Sequence, residues 1–502
     1  MYRDIETTTG TLRGRTTEGH VAFRGVPFAR SPEGERRFLA PQPVEPWPGL
    51  REALEPGNAA PQDPFVPRSF RAREPESEDC LFLNIDTPAA DGGRRPVLFW
   101  IHGGGLSHGS GSQPHYDGGP LAERGDVVVV SNNYRLGALG YLYLGGHGGD
   151  AWGAAPNAGQ LDQIAALAWV RDNIAAFGGD PGNVTIFGQS AGALAVHTLL
   201  AMPAASGLFA KAIAQSGTAA RVGGTDAATG VTAGYLDRLG VPAGDPAVIR
   251  QAPVADMLQA QGRRGTLSPV VDGDSLPERP LTAVRNGAAA DIPLLLGTTR
   301  DEHKLYVPTD RPALDRADLE HQVAAFLPRR AADRTGDVVD TYRRSLEAHG
   351  LPAGDNDIVD AVATASRFRV PADRLARAQQ AHQPRTYLYR FDWTSPARGG
   401  ALGACHGLEI PFVFGTIGRT GDDRMSGTGS DADRLAGHMM DAWIAFARHG
   451  DPSHNGIGTW PAYEPDTRPT MVFDRETAAT TEPFPVETAM WADLLAGPAI
   501  AH

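Results

Sequence analysis

Apolar residues along this chain gather in short, unbroken runs. VLFWI (97–101), VVVV (127–130), VTIF (184–187) and LLL (294–296) are each bounded by Gly, Pro, Asn or Asp, and TYLYRF (386–391) is a less pure case. Runs apolar on both faces suit strands covered on both sides, as in a parallel sheet. Between them the pattern turns helical. In LDQIAALAWVRDNIAAFGGDP (161–181), Leu161, Ile164, Ala168, Ile174 and Phe177 fall near helical spacing, and Gly178, Gly179 and Pro181 end it. Strand–helix alternation of this kind predicts an α/β protein with a doubly wound, mostly parallel central sheet and helices on both faces.

No internal repeat or low-complexity linker divides the chain, so residues 1–502 are read as one domain. The Ala-, Gly- and Pro-rich stretches 55–76 and 220–290, together with 303–380, are expected as loop and cap insertions over an active site. A hydrophobic content of 41% in 502 residues is enough for a sizeable core. The net charge of −13 argues against nucleic acid or an anionic membrane as partner, because either would repel an acidic surface. Two cysteines, Cys80 and Cys405, make no disulfide framework and no cysteine-rich zinc site. With no apolar signal segment at the N-terminus and no run long enough to span a bilayer, the expected location is cytoplasmic. Oligomeric state has no sequence signature here.

Candidate chemistry begins with VTIFGQSAGAL (184–194), which holds a Gly-x-Ser-x-Gly pentapeptide around Ser190. A second match, GLSHG (105–109), surrounds Ser107. A nucleophile elbow requires a strand, a sharp turn and a helix. Ser190 fits, with VTIF before it and the helix-forming AGALAVHTLLAM after it. Ser107 is followed by HGSGSQPHYDGG, which cannot start a helix of any length. Yet the decoy overlaps WIHGGG (100–105), where a strand ends in consecutive glycines. Acyl transfer develops negative charge on the substrate oxygen and needs preorganised N–H donors. Gly104 and Gly105 are therefore candidate oxyanion-hole donors, with the Ala191 amide as the third; the plainer alternative is a flexible glycine turn.

A serine hydroxyl needs a base, and histidine suits neutral pH. In the order Ser…acid…His, the base belongs in a loop after a late strand. His406, in GACHGLEIPFVFG, follows TYLYRFDW and meets this requirement, whereas His382, His449, His454 and His502 read as surface histidines. The third member holds the imidazole in one tautomer. PLLLGTTRDEH (293–303) puts both Asp301 and Glu302 beyond a buried strand, and spacing does not choose between them.

Taken together, these motifs resemble the type-B carboxylesterase branch of the α/β-hydrolases, close to its bacterial para-nitrobenzyl-esterase-like members. FRGVPFARSPEGERRFLAPQPVEPW (23–47), SEDCLFLNI (77–85), WIHGGG, NYRLGALGYL (133–142), NAGQLDQIAALAWVRDNIAAFGGDPGNVTIFGQSAG (157–192), HGLEIPFVFG (406–415), AWIAFARHGDP (442–452) and TWPAY (459–463) carry the resemblance in family order. It implies an α/β-hydrolase fold, Glu302 as the acid, Ser190 as nucleophile and His406 as base. It further implies that Gly104, Gly105 and Ala191 form the oxyanion hole. Ser216, in AQSG, matches a serine that supports the triad by hydrogen bonding, and Arg37 and Glu78 match a buried salt bridge. Leu106 is expected at the border of the acyl pocket, or else as a packing leucine.

Departures from the family pattern are informative. His303 stands where the family has glycine after the acid, and GQSAG replaces the commoner GESAG. Residues 1–79 hold no cysteine that could pair with Cys80, and 61–76 hold no tryptophan of the kind choline-binding relatives carry. The resulting expectation is hydrolysis of small carboxylic esters through an acyl-enzyme, with no metal or organic cofactor. The alternatives are a specialised hydrolase of lactones, carbamates or aromatic polyester fragments using the same triad, and a non-catalytic binding module on the same fold.

Overall fold

A computed structural model describes residues 1–217, 222–241, 246–262, 267–419, 421 and 423–496. Residues 220–221, 242–245 and 263–266 of the expected insertion at 220–290 lie outside the described residues, as does His502.

The buried apolar runs become the middle of one 13-stranded sheet. Its parallel centre runs, from one side to the other, Val128–Asn132, Arg95–Ile101, Gly179–Gln189, Lys211–Gln215, Leu294–Thr299, Thr386–Phe391 and Pro469–Phe473. The register sets Phe99 beside both Val130 and Ile186, and Ile186 beside Ala212. The flanks are antiparallel along the path, with Phe82–Thr87, Val21–Pro27, Gly10–Thr16 and Tyr2–Thr7 on one side and Ala478–Thr481 on the other, while the thirteenth strand, Leu50–Glu52, pairs parallel to Gly10–Thr16 off this path. Alternate residues of the same strands enter two separate cores. Phe99 and Ile186 pack in the cluster on one face, and Trp100 and Phe187 in the cluster on the other. Burial on both faces is why these runs do not alternate in the sequence. No described helix is long and apolar enough to cross a membrane.

The helix read from residue 161 spans Ala158–Asn173 and tightens into a final turn over Ile174–Phe177. Its inward face differs from the expected one. Leu161, Ile164 and Ala168 are half-buried, whereas Asp162, Gln163, Ala166, Trp169 and Val170 face the core. The reason is a buried ion pair: Arg135 Nε and Nη2 donate to Asp162 at 2.8 and 2.6 Å, with both side chains almost fully enclosed. A charge pair taken from water rotates the helix by what it must reach, which apolar periodicity does not register.

Residues 303–380 form four helices, Arg316–Ala324, Thr335–Ala348, Asp355–Thr364 and Val370–Gln380. They build a separate apolar cluster around Val338, Tyr342, Ile358 and Trp491. A π-helical turn, Ala365–Arg369, joins the last two helices. The insertion at 220–290 contributes Thr225–Leu239 and Val254–Gln261. Residues 61–76 lie as a loop tied to the segment after the glycines, where the Asp63 amide donates to the Ser107 carbonyl at 2.9 Å.

Candidate active site

The strand Gly179–Gln189 breaks at Ser190, and the helix Ala191–Leu199 starts at the next residue. Ser190 takes φ 59° and ψ −120°, a conformation that strains any residue with a side chain. Its amide donates to the Gln215 carbonyl at 2.9 Å, and its carbonyl accepts from Leu194 at 2.9 Å, so the corner is held from both sides. The pentapeptide glycines are needed for packing. A Cβ on Gly188 would lie 2.6 Å from the Gly192 backbone, and one on Gly192 would lie 2.0 Å from the Ile101 carbonyl. Ser107 sits in a loop with no helix after it.

The strand Arg95–Ile101 delivers the glycine loop to the same place. Gly104 and Gly105 have φ 112° and 63°. A Cβ on Gly104 would lie 2.0 Å from the His108 carbonyl, and one on Gly103 would lie 3.2 Å from Ser190 Cβ. The loop is pinned by Gly109, whose amide donates to Gln62 Oε1 at 2.7 Å, and by the Tyr134 hydroxyl, which donates to the His102 carbonyl at 2.8 Å. Ala191 is the first residue of its helix, so its amide has no intrahelical acceptor. Burial holds His102 and His108 down to about 4, and both stay neutral beside this loop.

His406 follows the strand Thr386–Phe391 by a long loop and is 7% exposed. Its Nδ1–H donates to Glu302 Oε2 at 2.5 Å. Glu302 is fully buried beyond the strand Leu294–Thr299, and its other oxygen accepts from the Thr299 amide at 2.8 Å. Of the two acids left open by spacing, Asp301 points elsewhere. It accepts from the Ala404 amide at 2.8 Å and from Arg300 at 2.9 Å. Burial opposes its ionisation, but the Arg300 and Lys304 charges prevail and hold it below the usual carboxylate range. The rings of Tyr306 and Phe368 flank the imidazole at centroid distances of 5.4 and 5.1 Å.

Four further features of the site concern His406 Nε2, Ser216, Leu106 and His303. Among the described residues, the hydrogen-bond partner of His406 Nε2 is the Gln189 amide at 3.1 Å and not the Ser190 hydroxyl one residue on. Contacts between nucleophile and base are commonly long in a ligand-free site. Ser216 is fully buried at φ 54°, its amide donating to the Gly297 carbonyl at 2.8 Å, but its hydroxyl makes no hydrogen bond to the triad. Leu106 is 2% exposed and packs in a core cluster, its carbonyl accepting from the Gly137 amide at 2.7 Å. It is a packing leucine at the foot of the glycine loop. His303 keeps the chain turning: its amide donates to Thr364 Oγ1 at 3.1 Å and its ring meets Phe326 edge-on at 5.5 Å. Burial and the Arg367 charge hold it down to about 4, so it adds no positive charge beside Glu302.

The sequence reading missed a second carboxyl. Glu409 is fully buried three residues beyond His406. Gln215 Nε2 donates to it at 3.3 Å, and Gln215 in turn accepts from Trp443 Nε1 at 3.1 Å. Among the described residues, the Oε2 of Glu409 has no hydrogen-bond partner. Burial pushes it up to about 7, the Glu302 charge adds to the shift, and His406 opposes it. The only sequence signal was a glutamate close after the base, in HGLE. Gln189 and Phe368 were missed as well, because nothing in GQSAG or in 303–380 signals a contact with the imidazole. The Arg37–Glu78 bridge expected from the resemblance is present and nearly buried, with Arg37 Nε donating to Glu78 at 2.7 Å.

Comparison with known proteins gives consistent matches. The sequence matches the carboxylesterase family over residues 2–491. It is 38% identical over 497 residues to the para-nitrobenzyl esterase of Bacillus subtilis, covering 96% of this chain and 97% of that protein. It is 36% identical to the phenmedipham hydrolase of Pseudarthrobacter oxydans, covering 94% and 95%. Among solved structures, a PNB esterase superposes with a TM-score of 0.87 at 36% identity, over 99% of this chain and 100% of that one. A carboxylesterase of Geobacillus stearothermophilus superposes with a TM-score of 0.84 at 40% identity, over 97% and 99%.

Proposed function

The chain belongs to the carboxylesterase family and is a carboxylic ester hydrolase of the α/β-hydrolase fold; from that premise we propose that Ser190, His406 and Glu302 are its nucleophile, base and orienting acid. The observation that carries the assignment is the hydrogen bond from His406 Nδ1–H to Glu302 beside a serine at a strained strand-to-helix corner. The carboxylate keeps the proton on Nδ1, which leaves Nε2 as the atom able to accept one.

In this reading an ester carbonyl sits against the glycine loop. Nε2 takes the Ser190 proton as Oγ attacks the carbonyl carbon, and the carbonyl oxygen becomes an oxyanion. The amides of Gly104, Gly105 and Ala191 receive that charge, and being fixed by the fold they need no reorganisation as it develops. His406 then returns the proton to the departing alkoxide, which leaves as the alcohol. Water, deprotonated by the same nitrogen, attacks the acyl-enzyme, and collapse regenerates the Ser190 hydroxyl and releases the acid. The chain works as one domain, with 55–76, 220–290 and 303–380 covering the site; Phe368 and Tyr306 against His406 support this for the last of them. Both cysteines are free and buried, which supports a reducing, cytoplasmic setting.

The test is Ser190→Ala. Hydrolysis of a short-chain p-nitrophenyl ester is expected to fall about 10⁴-fold or more in kcat with thermal unfolding unchanged. Retained turnover in the folded variant refutes the assignment. A panel of esters, lactones and carbamates on the wild-type protein then sets the substrate class.

A further inference from the structure

Phe368 and Arg369 are consecutive residues of the π-helical turn Ala365–Arg369, yet they reach different parts of the molecule. The Phe368 ring, 5% exposed, stands 5.1 Å from the imidazole of His406. Arg369 reaches instead the C-terminal helix Pro485–Leu495, where its Nη2 donates to Glu487 Oε2. The same nitrogen meets the Tyr342 hydroxyl at 3.3 Å, and Trp491 Nε1 donates to that hydroxyl at 2.8 Å. Ser345 Oγ donates to the other oxygen of Glu487 at 2.9 Å. Glu487 is 2% exposed, so its charge is taken from water, and Arg369 is the cation paired with it. The Arg369 guanidinium also lies 4.9 Å from the ring centroid of Phe484, the residue before that helix.

A π-helical turn is rare and closes over one residue more than an α-helical turn. Here the Val370 amide donates to the Ala365 carbonyl five residues back. Reversion to the α pattern would rotate the side chains of the turn about the helix axis, so the place of the Phe368 ring depends on what holds the turn. Thr364 ties its entrance, the hydroxyl accepting from the His303 amide at 3.1 Å. Ser366 ties its middle, donating to the Phe326 carbonyl at 2.7 Å. Both ties stay within the insertion at 303–380. The exit is tied outside it, by Arg369 to a glutamate 118 residues further on. Phe368 lies between the last two ties.

We propose that the Arg369–Glu487 pair positions Phe368 beside the base, and so sets which alcohol groups this hydrolase accepts in its esters. The proposal rests on His406 being the general base. Its Nε2 hands a proton to the departing alkoxide oxygen, so the alcohol part of the ester lies next to the imidazole. The acyl carbon is fixed elsewhere, by Ser190 and the glycine-loop amides. A ring packed on the imidazole therefore borders the alcohol group rather than the acyl chain. Arg369 and Glu487 are positioning residues that act through where this ring stands, and they make the C-terminal helix a part of substrate selection.

The experiment is steady-state kinetics, followed by proton release, on ethyl and cyclohexyl butyrate and on ethyl acetate and ethyl octanoate. The proteins are the wild type, Phe368→Ala, the double variant Arg369→Met with Glu487→Met, and the three substitutions combined. Replacing both members of the pair by apolar side chains strands no charge, so the double variant is expected to fold. Its cyclohexyl-to-ethyl ratio of kcat/KM is expected to rise about tenfold as the ring gives way. The change is expected in KM, with kcat on ethyl butyrate and the octanoate-to-acetate ratio near wild type. F368A is expected to raise the same cyclohexyl ratio, and the triple variant to raise it no further. Glu487→Gln moves that ratio in the same direction by less, and reports if the double variant does not fold. A cyclohexyl ratio unchanged in the folded variants overturns the proposal, as does a shift that adds in full to that of F368A, or acyl and alcohol ratios that move together. A pair that served stability alone would lower the unfolding temperature and leave every ratio in place. Failure of the underlying assignment shows separately, as hydrolysis retained in Ser190→Ala.

Discussion

At the scale of single residues, the site is a set of hydrogen bonds that each permit one protonation state. Glu302 accepts from His406 Nδ1–H and from the Thr299 amide, so both of its oxygens are satisfied by donors. Glu302→Gln keeps the shape but offers an –NH₂ group where an acceptor is needed, and kcat is expected to fall about 10³- to 10⁴-fold with little change in KM. Steady-state kinetics on one ester checks this. Glu409 makes a prediction about stability. Its folded-state value of about 7 lies above that of an exposed glutamate, so the folded protein binds the proton more tightly than the unfolded chain. This group's contribution is therefore most favourable at acid pH and is lost as the pH rises from the ordinary carboxylate range through about 7. Glu409→Gln removes that loss. Relative to wild type, its unfolding temperature is expected to be higher at pH 8 than at pH 5, as differential scanning at the two values would show. Ser190, His406 and the pair Asp301/Glu302 were legible because each stands just beyond a recognisable strand or in an elbow. Gln189 and Glu409 were not, because their importance lies in which atom they face across the chain.

Among elements, the decisive junction is the strand-to-helix corner. Gly188 and Gly192 let the helix Ala191–Leu199 lie against the ends of the strands Gly179–Gln189 and Arg95–Ile101. In Gly192→Ala the new methyl would stand 2.0 Å from the Ile101 carbonyl, a fixed strand atom. A loss of about 3 kcal/mol in denaturant unfolding is expected, together with loss of ester hydrolysis, because relief requires moving the Ala191 amide. The strands were readable from their apolar runs, and the run at 184–187 extends in the structure to Gly179–Gln189. Lys211–Gln215 and Pro469–Phe473 were not read, the first being weakly apolar and the second opening on Pro and Thr; sheet neighbours on both sides complete them. The π-helical turn Ala365–Arg369 has no signature of its own, yet it belongs to the insertion that brings Phe368 to the imidazole.

Across the whole molecule, buried ion pairs decide how layers are set against the sheet. Arg135 reaches Asp162 in the helix Ala158–Asn173 with exposures of 3% and 0% for the two side chains. Asp162→Ala would strand a buried guanidinium and is expected to cost about 3–5 kcal/mol, measured by denaturant unfolding. The kcat of the protein that remains folded is expected to stay near wild type, since neither side chain touches Ser190, Glu302 or His406. The sequence by itself determined the α/β class, the elbow serine, the glycine loop and the late-loop histidine, because each is written in a local pattern of strand, turn and helix. Tertiary structure alone decided that the Ser216 hydroxyl makes no hydrogen bond to Glu302 or His406 and that the Gln189 amide meets Nε2, and it brings Glu302, the acid the resemblance implies, rather than Asp301 to the imidazole. Those outcomes depend on which buried polar atoms find partners in space, and desolvation makes that choice over distances that no spacing along the chain encodes.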